Sequence, residues 1–425
     1  MQVKITCIFI VFIYVSMSIF GISMKRSLLL VLGYLLSVNV STADELNFID
    51  AIKQGEAGLS FRARYEDVRA TNTDAQAFTL RSRLTFETKR YNLFSALIEF
   101  DDITAIPDDE NYYTGENGQS DDAVVQDAEG TELNRVWLGY DIANTKIKYG
   151  RQNVSFDNER FFGKDAWRQN AQSFTGLSVF NESLNYLRIN LAQLNQVEGV
   201  EGESSSTGKR DLSAQLINVE YRGFLNSKLA LYSYWLDSDY IDNQEDTVTY
   251  GVRYSGRIKN SPEIDYALEY AMQNDSDGNA LNYSAAYTLV DFGIMYNNVR
   301  LGLGQEVLEA DGLGYFITPL ASLHDFQGWT DQFQNQGLGN IAGGVQDRYF
   351  SLGYSCLEFF QIKGVYHQFK SESRSAGLGD LGTEWGLEFE GEINEYSFNM
   401  KYAEYKRNDF GVDTEKFWLS VGARF

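Results

Sequence analysis

The chain has 425 residues, with 36 Lys and Arg against 59 Asp and Glu, a formal charge of −23 and a pI near 4.5. So acidic a balance excludes a nucleic-acid binder, because phosphate backbones are held by clustered Lys and Arg. At 44% hydrophobic and 22% charged, the chain is too apolar to be disordered and too interrupted by charge to be a bundle of membrane helices.

Aromatics reach 14%, while prolines number 3 and histidines 2. Scarce proline suits many long strands, since proline lacks the N–H a ladder needs. Scarce histidine thins out histidine-based metal and acid–base chemistry, and neither a cofactor nor a metal is expected.

Two apolar stretches within residues 1–43 read as targeting sequence. Met24-Lys25-Arg26 is a basic n-region, Ser27 to Val38 an apolar core, and Ser41-Thr42-Ala43 a small-residue cleavage site before Asp44. Met1 to Ile22 has the length of a membrane anchor. The expectation is a true start at Met24 and cleavage after Ala43, leaving 44–425 as the mature barrel; N-terminal sequencing of the mature protein checks it. Removal would take Lys4, Lys25, Arg26 and Cys7. The remainder is more acidic still, and its one cysteine, Cys356, cannot form an internal disulfide and is expected in a short turn.

After Ala43 no apolar run is long enough for a membrane helix, so any membrane crossing must use strands. Period-two alternation recurs along the chain. Leu59, Phe61, Ala63 and Tyr65 oppose Ser60, Arg62, Arg64 and Glu66; Phe78, Leu80, Leu84 and Phe86 oppose Thr79, Arg81, Arg83 and Glu87. Val248 to Tyr254, Ile264 to Met272 and Phe417 to Phe425 repeat the pattern. The spacing predicts strands over 58–68, 77–88, 92–101, 132–141, 145–153, 173–180, 186–195, 212–221 and 227–237. It continues over 246–257, 263–272, 280–296, 299–308, 345–354, 359–370, 382–391, 396–406 and 414–425. The segment 280–296 changes phase near Val290-Asp291.

Segments of about 9–12 residues match tilted membrane strands and exceed the usual soluble strand of about 5–6. Short turns, such as Asp141 to Asn144 and Glu392 to Glu395, alternate with longer polar connections. The fold class is therefore all-β: a closed antiparallel transmembrane β-barrel of about 18 strands, with short periplasmic turns and long extracellular loops. Its location is the bacterial outer membrane, and the Tyr and Phe excess is assigned to interfacial girdles. Phe425 closing an amphipathic strand resembles the C-terminal signal of such barrels, which implies the barrel-assembly machinery as a partner beside outer-membrane lipid and lipopolysaccharide.

The connection from Asp101 to Glu132 holds eleven acids and no Lys or Arg: Asp101, Asp102, Asp108, Asp109, Glu110, Glu116, Asp121, Asp122, Asp127, Glu129 and Glu132. It reads either as a solvated acidic loop or as a Ca²⁺ site built from carboxylate oxygens. His324 and His367 read as packing residues. Gly302-Leu303-Gly304 and Gly377 to Asp380 join no strand to a helix and are not phosphate loops.

The next long connection carries Gly150-Arg151-Gln152, Asp157, Arg160, Gly163 and Trp167-Arg168-Gln169-Asn170. This pattern resembles the alginate-export family of outer-membrane proteins. Glu306-Val307-Leu308, Phe316 to Leu320, His324, Phe326 to Trp329, Asp331 and Phe333 support the resemblance. So do Tyr366-His367, Gly382 to Trp385, Tyr402 to Tyr405 and Lys416 to Trp418. The resemblance implies an eighteen-stranded barrel whose basic constriction passes an anionic polysaccharide.

Turning each apolar face to lipid sends Arg62, Arg64, Arg81, Arg83, Arg135, Lys146, Lys148, Arg188, Arg253, Lys363, Lys401, Lys416 and Arg424 into the lumen, along with acids such as Glu66, Glu99, Glu269, Glu384, Glu388 and Glu390. A concentrated basic wall raises the local concentration of carboxylates, and guanidinium groups hold them through paired donors. The pore residues are assigned as Arg62, Arg64, Arg81, Arg83, Arg135 and Lys148, with an infolded loop around Arg151, Arg160 and Arg168. The expectation is a passive, anion-preferring channel for an acidic saccharide or small carboxylates, not an enzyme. Its rivals are a general or cation-selective porin, a plugged barrel for surface binding, and an outer-membrane hydrolase.

Overall fold

The computed structural model describes residues 47–425 apart from 107–111, 115–117, 119, 204, 206–207, 239–245, 277–281, 335–336, 358 and 374–376. The targeting segment 1–43 and the acids Asp108, Asp109, Glu110 and Glu116 lie outside the described residues.

Among the described residues, eighteen antiparallel strands form one sheet. They are β1 (Glu56–Ala70), β2 (Asp74–Glu87), β3 (Phe94–Ala105), β4 (Gly130–Ile142), β5 (Thr145–Gln152), β6 (Ser173–Asn181), β7 (Leu187–Glu198), β8 (Lys209–Phe224) and β9 (Ser227–Asp237). The second half comprises β10 (Thr247–Ile258), β11 (Glu263–Asp275), β12 (Ser284–Tyr296), β13 (Val299–Leu308), β14 (Val345–Leu357), β15 (Phe360–Ser371), β16 (Asp380–Ile393), β17 (Tyr396–Arg407) and β18 (Thr414–Arg424). Each pairs with its chain neighbours, and β1 pairs with β18 from Ser60–Arg424 to Ala70–Thr414. Leu59 and Phe425 exchange both backbone hydrogen bonds, at 3.0 and 2.8 Å. Closure leaves no open edge, so the backbone groups in the lipid zone are paired within the sheet.

Each of the eighteen expected strands has its counterpart. Several run further than alternation reveals: the segment read as 212–221 is Lys209–Phe224. Lipid demands apolar residues only along the hydrocarbon zone, whereas the ladder continues beyond it through Lys209, Arg210 and Asp211. The two-residue turns at 143–144, 225–226, 297–298 and 394–395 place Ala143, Asn226, Asn297, Asn298 and Asn394 at positive φ. Such a backbone suits the twist of a tight hairpin, and asparagine tolerates it better than most residues. The opposite rim bears the long loops, with one exception, since β1 and β2 are joined by 71–73 alone. Cys356 sits not in a turn but at the end of β14, beside a bulge between Ser355 and Leu357.

The outward face is an apolar belt that includes Leu84, Leu138, Leu268, Phe292, Leu303, Leu352, Leu387 and Leu419. Exposed aromatics flank it in two bands, Tyr250, Tyr270 and Trp385 nearer the long loops and Tyr186, Tyr296 and Tyr396 nearer the short turns. Girdles do not account for all the aromatics, however. A second population (Phe156, Phe161, Phe162, Phe174, Tyr232, Tyr234, Tyr287 and Phe316) packs together inside the barrel. Their partners are inward residues such as Leu194, Leu216 and Leu289. This core explains the irregular reading of β12. Val290, Phe292 and Ile294 face out in unbroken alternation, while Tyr287 and Leu289 face in and are apolar because loops cover them.

A short helix, α1 (Phe48–Lys53), sits at the short-turn rim, where Ala51 O accepts from Lys89 N at 3.0 Å.

Candidate functional site

Two loops enter the lumen, 153–172 after β5 and 309–344 after β13. The sequence reading anticipated the first and not the second. They are joined by Gly163 N donating to Leu320 O (2.9 Å), Ser322 N donating to Glu159 O (3.0 Å) and Ser322 Oγ donating to Glu159 Oε2 (2.6 Å). Arg160, fully buried, donates to Glu306 Oε1 (2.8 Å) and to Thr318 Oγ1 (2.8 Å), tying the first loop to β13 and to the second loop. Asp157 reaches Lys228 on β9 at 3.1 Å. The loops thus fill the lumen on the β7–β13 side.

On the opposite wall, arginines grip the first loop. Arg62 donates to Gln169 Oε1 (2.8 Å), Ala166 O (3.0 Å) and Arg168 O; Arg64 donates to Trp167 O, and Arg81 to Gln169 O at 3.2 Å. This is why like charges coexist on adjacent strands, since converging carbonyl dipoles accept from them. Arg168 enters a buried network, 2.9 Å from Glu66 Oε2 and 3.6 Å from Asp331 Oδ2. Asp331 also meets Lys416 (2.8 Å) and His324 (2.9 Å). Burial pulls the Arg168 guanidinium down, but Glu66, Asp127 and Asp331 hold it above its ordinary value. Burial pushes the Asp331 carboxyl up, and Lys416, His324 and Arg168 more than reverse this. Burial lowers the His324 imidazole to about 3, so the ring is neutral at ordinary pH. It stacks flat on Trp167, with centroids 4.2 Å apart. Asp165 goes the other way: its Oδ1 is buried without a hydrogen bond, and desolvation raises its carboxyl to about 7.

The second loop is seated by the buried carboxylate of Glu384 on β16, which accepts from Trp329 N, Thr330 N (3.1 Å) and Thr330 Oγ1 (2.5 Å). The Trp329 ring lies against Gly386, where an added Cβ would stand 2.5 Å from two ring carbons. Gly386→Val should therefore lift Trp329 from the wall at a cost of about 1–3 kcal/mol. The expected readout is greater acrylamide quenching of tryptophan fluorescence, and unchanged quenching would reject this seating.

Beneath the loops lies a cavity of about 980 Å³, lined by Arg62, Arg64, Arg81, Lys363, Lys401 and Arg424, by Asp325, Glu388, Glu390 and Glu392, and by Trp167 and Trp329. Of the nine residues assigned to the pore from sequence, Arg62, Arg64 and Arg81 line this chamber and six do not. Arg83 is held by Asp101 (2.6 and 2.5 Å), and Arg135 by Glu99 (2.7 and 2.5 Å). Lys148 sits 4.2 Å over the Trp137 ring. Arg151 belongs to β5, not to the loop, and meets Glu198 (3.0 Å) and Glu203. Arg160 and Arg168 are buried in the loop anchors described above. The chamber adds Lys363, Lys401 and Arg424, inward by alternation but not chosen, and Trp329, whose loop gave no periodic signal. Lys401 Nζ lies between the Trp167 and Trp329 rings at 4.0 and 4.4 Å, with Glu388 at 3.3 Å.

Several of the described acids of the 101–132 stretch meet protein groups. Asp101 pairs with Arg83, Asp127 accepts from Gln169 N at 3.0 Å, Glu129 from Ala105 N at 2.6 Å, and Glu132 from Asn170 Nδ2 at 3.0 Å. Among the described residues no group of three His, Cys, Asp or Glu is placed to hold a metal ion.

A sequence model of the family described as Alginate export matches residues 54–302. No curated protein matches the chain by sequence. Solved structures similar to it include Acinetobacter baumannii OccAB4 (14% identity, 87% of this chain and 98% of that one, TM-score 0.68). Pseudomonas aeruginosa OccK3 (OpdO) is similar at 13% identity over 89% and 97%, TM-score 0.68. Pseudomonas aeruginosa OpdK, solved with vanillate, is similar at 12% identity over 88% and 99%, TM-score 0.68.

Proposed function

The chain belongs to the alginate-export family and is an outer-membrane barrel channel, and from that premise we propose that it conducts anionic solutes, an acidic saccharide or small carboxylates, past the β18–β1–β2 wall of the chamber. One observation carries this reading. Arg62, Arg81 and Arg424 line the chamber, and among the described residues none of the three forms a salt bridge. The lumenal cations elsewhere are largely neutralised by Glu99, Asp101, Glu269 or Glu306, so selectivity rests on these few together with Lys363, which lines the chamber over the Trp329 ring. Guanidinium groups replace the water and counterions of a passing carboxylate through paired donors, and weak contacts at several sites let it enter and still leave. A carboxylate, vanillate, is also what accompanies the similar OpdK structure. The partners on this reading are the lipid and lipopolysaccharide around the apolar belt and the barrel-assembly machinery.

Glu390 and Glu392 on the same chamber favour a second reading, a cation-selective porin. Reversal potentials in planar bilayers separate the two. The wild type should prefer anions, and Arg81→Glu should lower that preference several-fold. Arg83→Glu is the weaker test, because it also strands Asp101. Cation selectivity in the wild type would reject the proposal.

A further inference from the structure

The chamber carries a second charged rail that the anion reading leaves unused. By register, one row crosses β16, β17, β18, β1 and β2 as Glu392, Ser397, Gly422, Arg62 and Arg81. The next row reads Glu390, Asn399, Ser420 and Arg64. Acid and base thus stand three strand spacings apart, roughly 14 Å at the backbone, and their side chains narrow that gap. The floor between them is low, made of Ser397, Gly422 and Ser420, and a Cβ on Gly422 would collide with Ser397 Oγ.

Both walls present charged groups that form no salt bridge among the described residues. On the basic side, Arg62 and Arg81 form no salt bridge among the described residues and Nε of Arg81 holds no hydrogen bond, whereas Arg64 turns to Asp127 at 3.7 Å and Glu66 at 3.8 Å. On the acidic side, Asn399 Oδ1 is buried without a donor, and neither Glu390 nor Glu392 forms a salt bridge among the described residues. Basic and acidic side chains thus line the two ends of a low polar floor.

We infer that this trough binds zwitterionic solutes whose ammonium and carboxylate are separated by several carbons, the ammonium against Glu390, Glu392 and Asn399 Oδ1 and the carboxylate against Arg62 and Arg81. A solute with one charge satisfies one wall and leaves the other without its partner. This goes beyond the anion reading and does not depend on the sign of the net selectivity.

The test is interruption of single-channel current in planar bilayers at pH 7 by 6-aminohexanoate, hexanoate and hexylammonium. The zwitterion should block at about tenfold lower concentration than either singly charged probe, the equivalent of one added charge-assisted hydrogen bond. Glu390→Gln with Glu392→Gln should erase that advantage while hexanoate block stays within about twofold; both side chains are exposed, so folding is not at risk. Equal potency of 6-aminohexanoate and either single-charge probe, or an advantage that survives the double variant, overturns the inference. Failure of the anion reading shows separately, as a reversal potential of cation sign with the zwitterion block intact.

Discussion

Replacing Arg168 by methionine should release the infolded loops and enlarge the conductance, with the barrel itself intact. Arg168 is the group that the 153–172 loop, β1 and the 309–344 loop share, through Glu66 and Asp331. Removing one member of a buried ionic set leaves the others uncompensated, at a cost of about 3–5 kcal/mol. Asp331 would keep Lys416, and Asp127 would keep Arg64 at 3.7 Å. Among the described residues Glu66 would keep only Arg64, at 3.8 Å. The eighteen-strand ladder does not depend on this network, so the loss falls on the loops. Single-channel recordings should show a larger and noisier current, and protease added to the long-loop side should cut within 153–172. Arg168→Lys should fall between, since an ammonium cannot offer the forked donors that reach two carboxylates. Wild-type conductance and protease resistance in the methionine variant would show that the loops are held by their aromatic core alone.

Asp165→Asn should gain stability over the wild type as pH rises. The Asp165 carboxyl is raised by burial from 3.8 to about 7. Between those values the folded chain holds a proton that the unfolded chain has lost, so wild-type stability falls with rising pH until the folded group ionises. Below pH 4 the two proteins should behave alike. Above it their difference should grow by at most about 1.4 kcal/mol per pH unit, less where water reaches the rest of this partly exposed residue, and level off near pH 7. His324 has the opposite sign. Burial depresses it to about 3, so it favours the folded state most above pH 6.5 and progressively less as pH falls towards 3. Urea midpoints in detergent between pH 4 and 8 test the Asp165 claim, and parallel curves for variant and wild type would refute it.

The barrel was legible because lipid imposes a rule that residues report one by one. Leu84, Leu138 and Leu419 had to alternate with Arg83, Gly139 and Ser420, and eighteen such segments were found where eighteen strands exist. The interior was less legible, because no single solvent governs it. Inward positions on β7–β13, such as Leu194, Tyr232 and Tyr287, are apolar since loops cover them; the change of phase near Val290-Asp291 was their only trace. The arginines were located correctly as inward, but alternation cannot say what an inward cation meets. Arg83 and Arg135 meet carboxylates, and Arg62 and Arg64 meet loop carbonyls contributed by residues about a hundred positions away. Trp329, in a loop without period, was visible only as part of a family resemblance.

The aromatic core has a consequence for how such a channel is altered. It occupies one side of the cylinder, so the chamber is bounded by a crescent of wall from β15 to β2. On the proposed function, specificity would be set on a handful of neighbouring strands that also carry loop anchors, Glu384 on β16, Lys416 on β18 and Glu66 on β1. Arg62 and Arg81 line the chamber and also hold the 153–172 loop, so a change there would alter filter and support together.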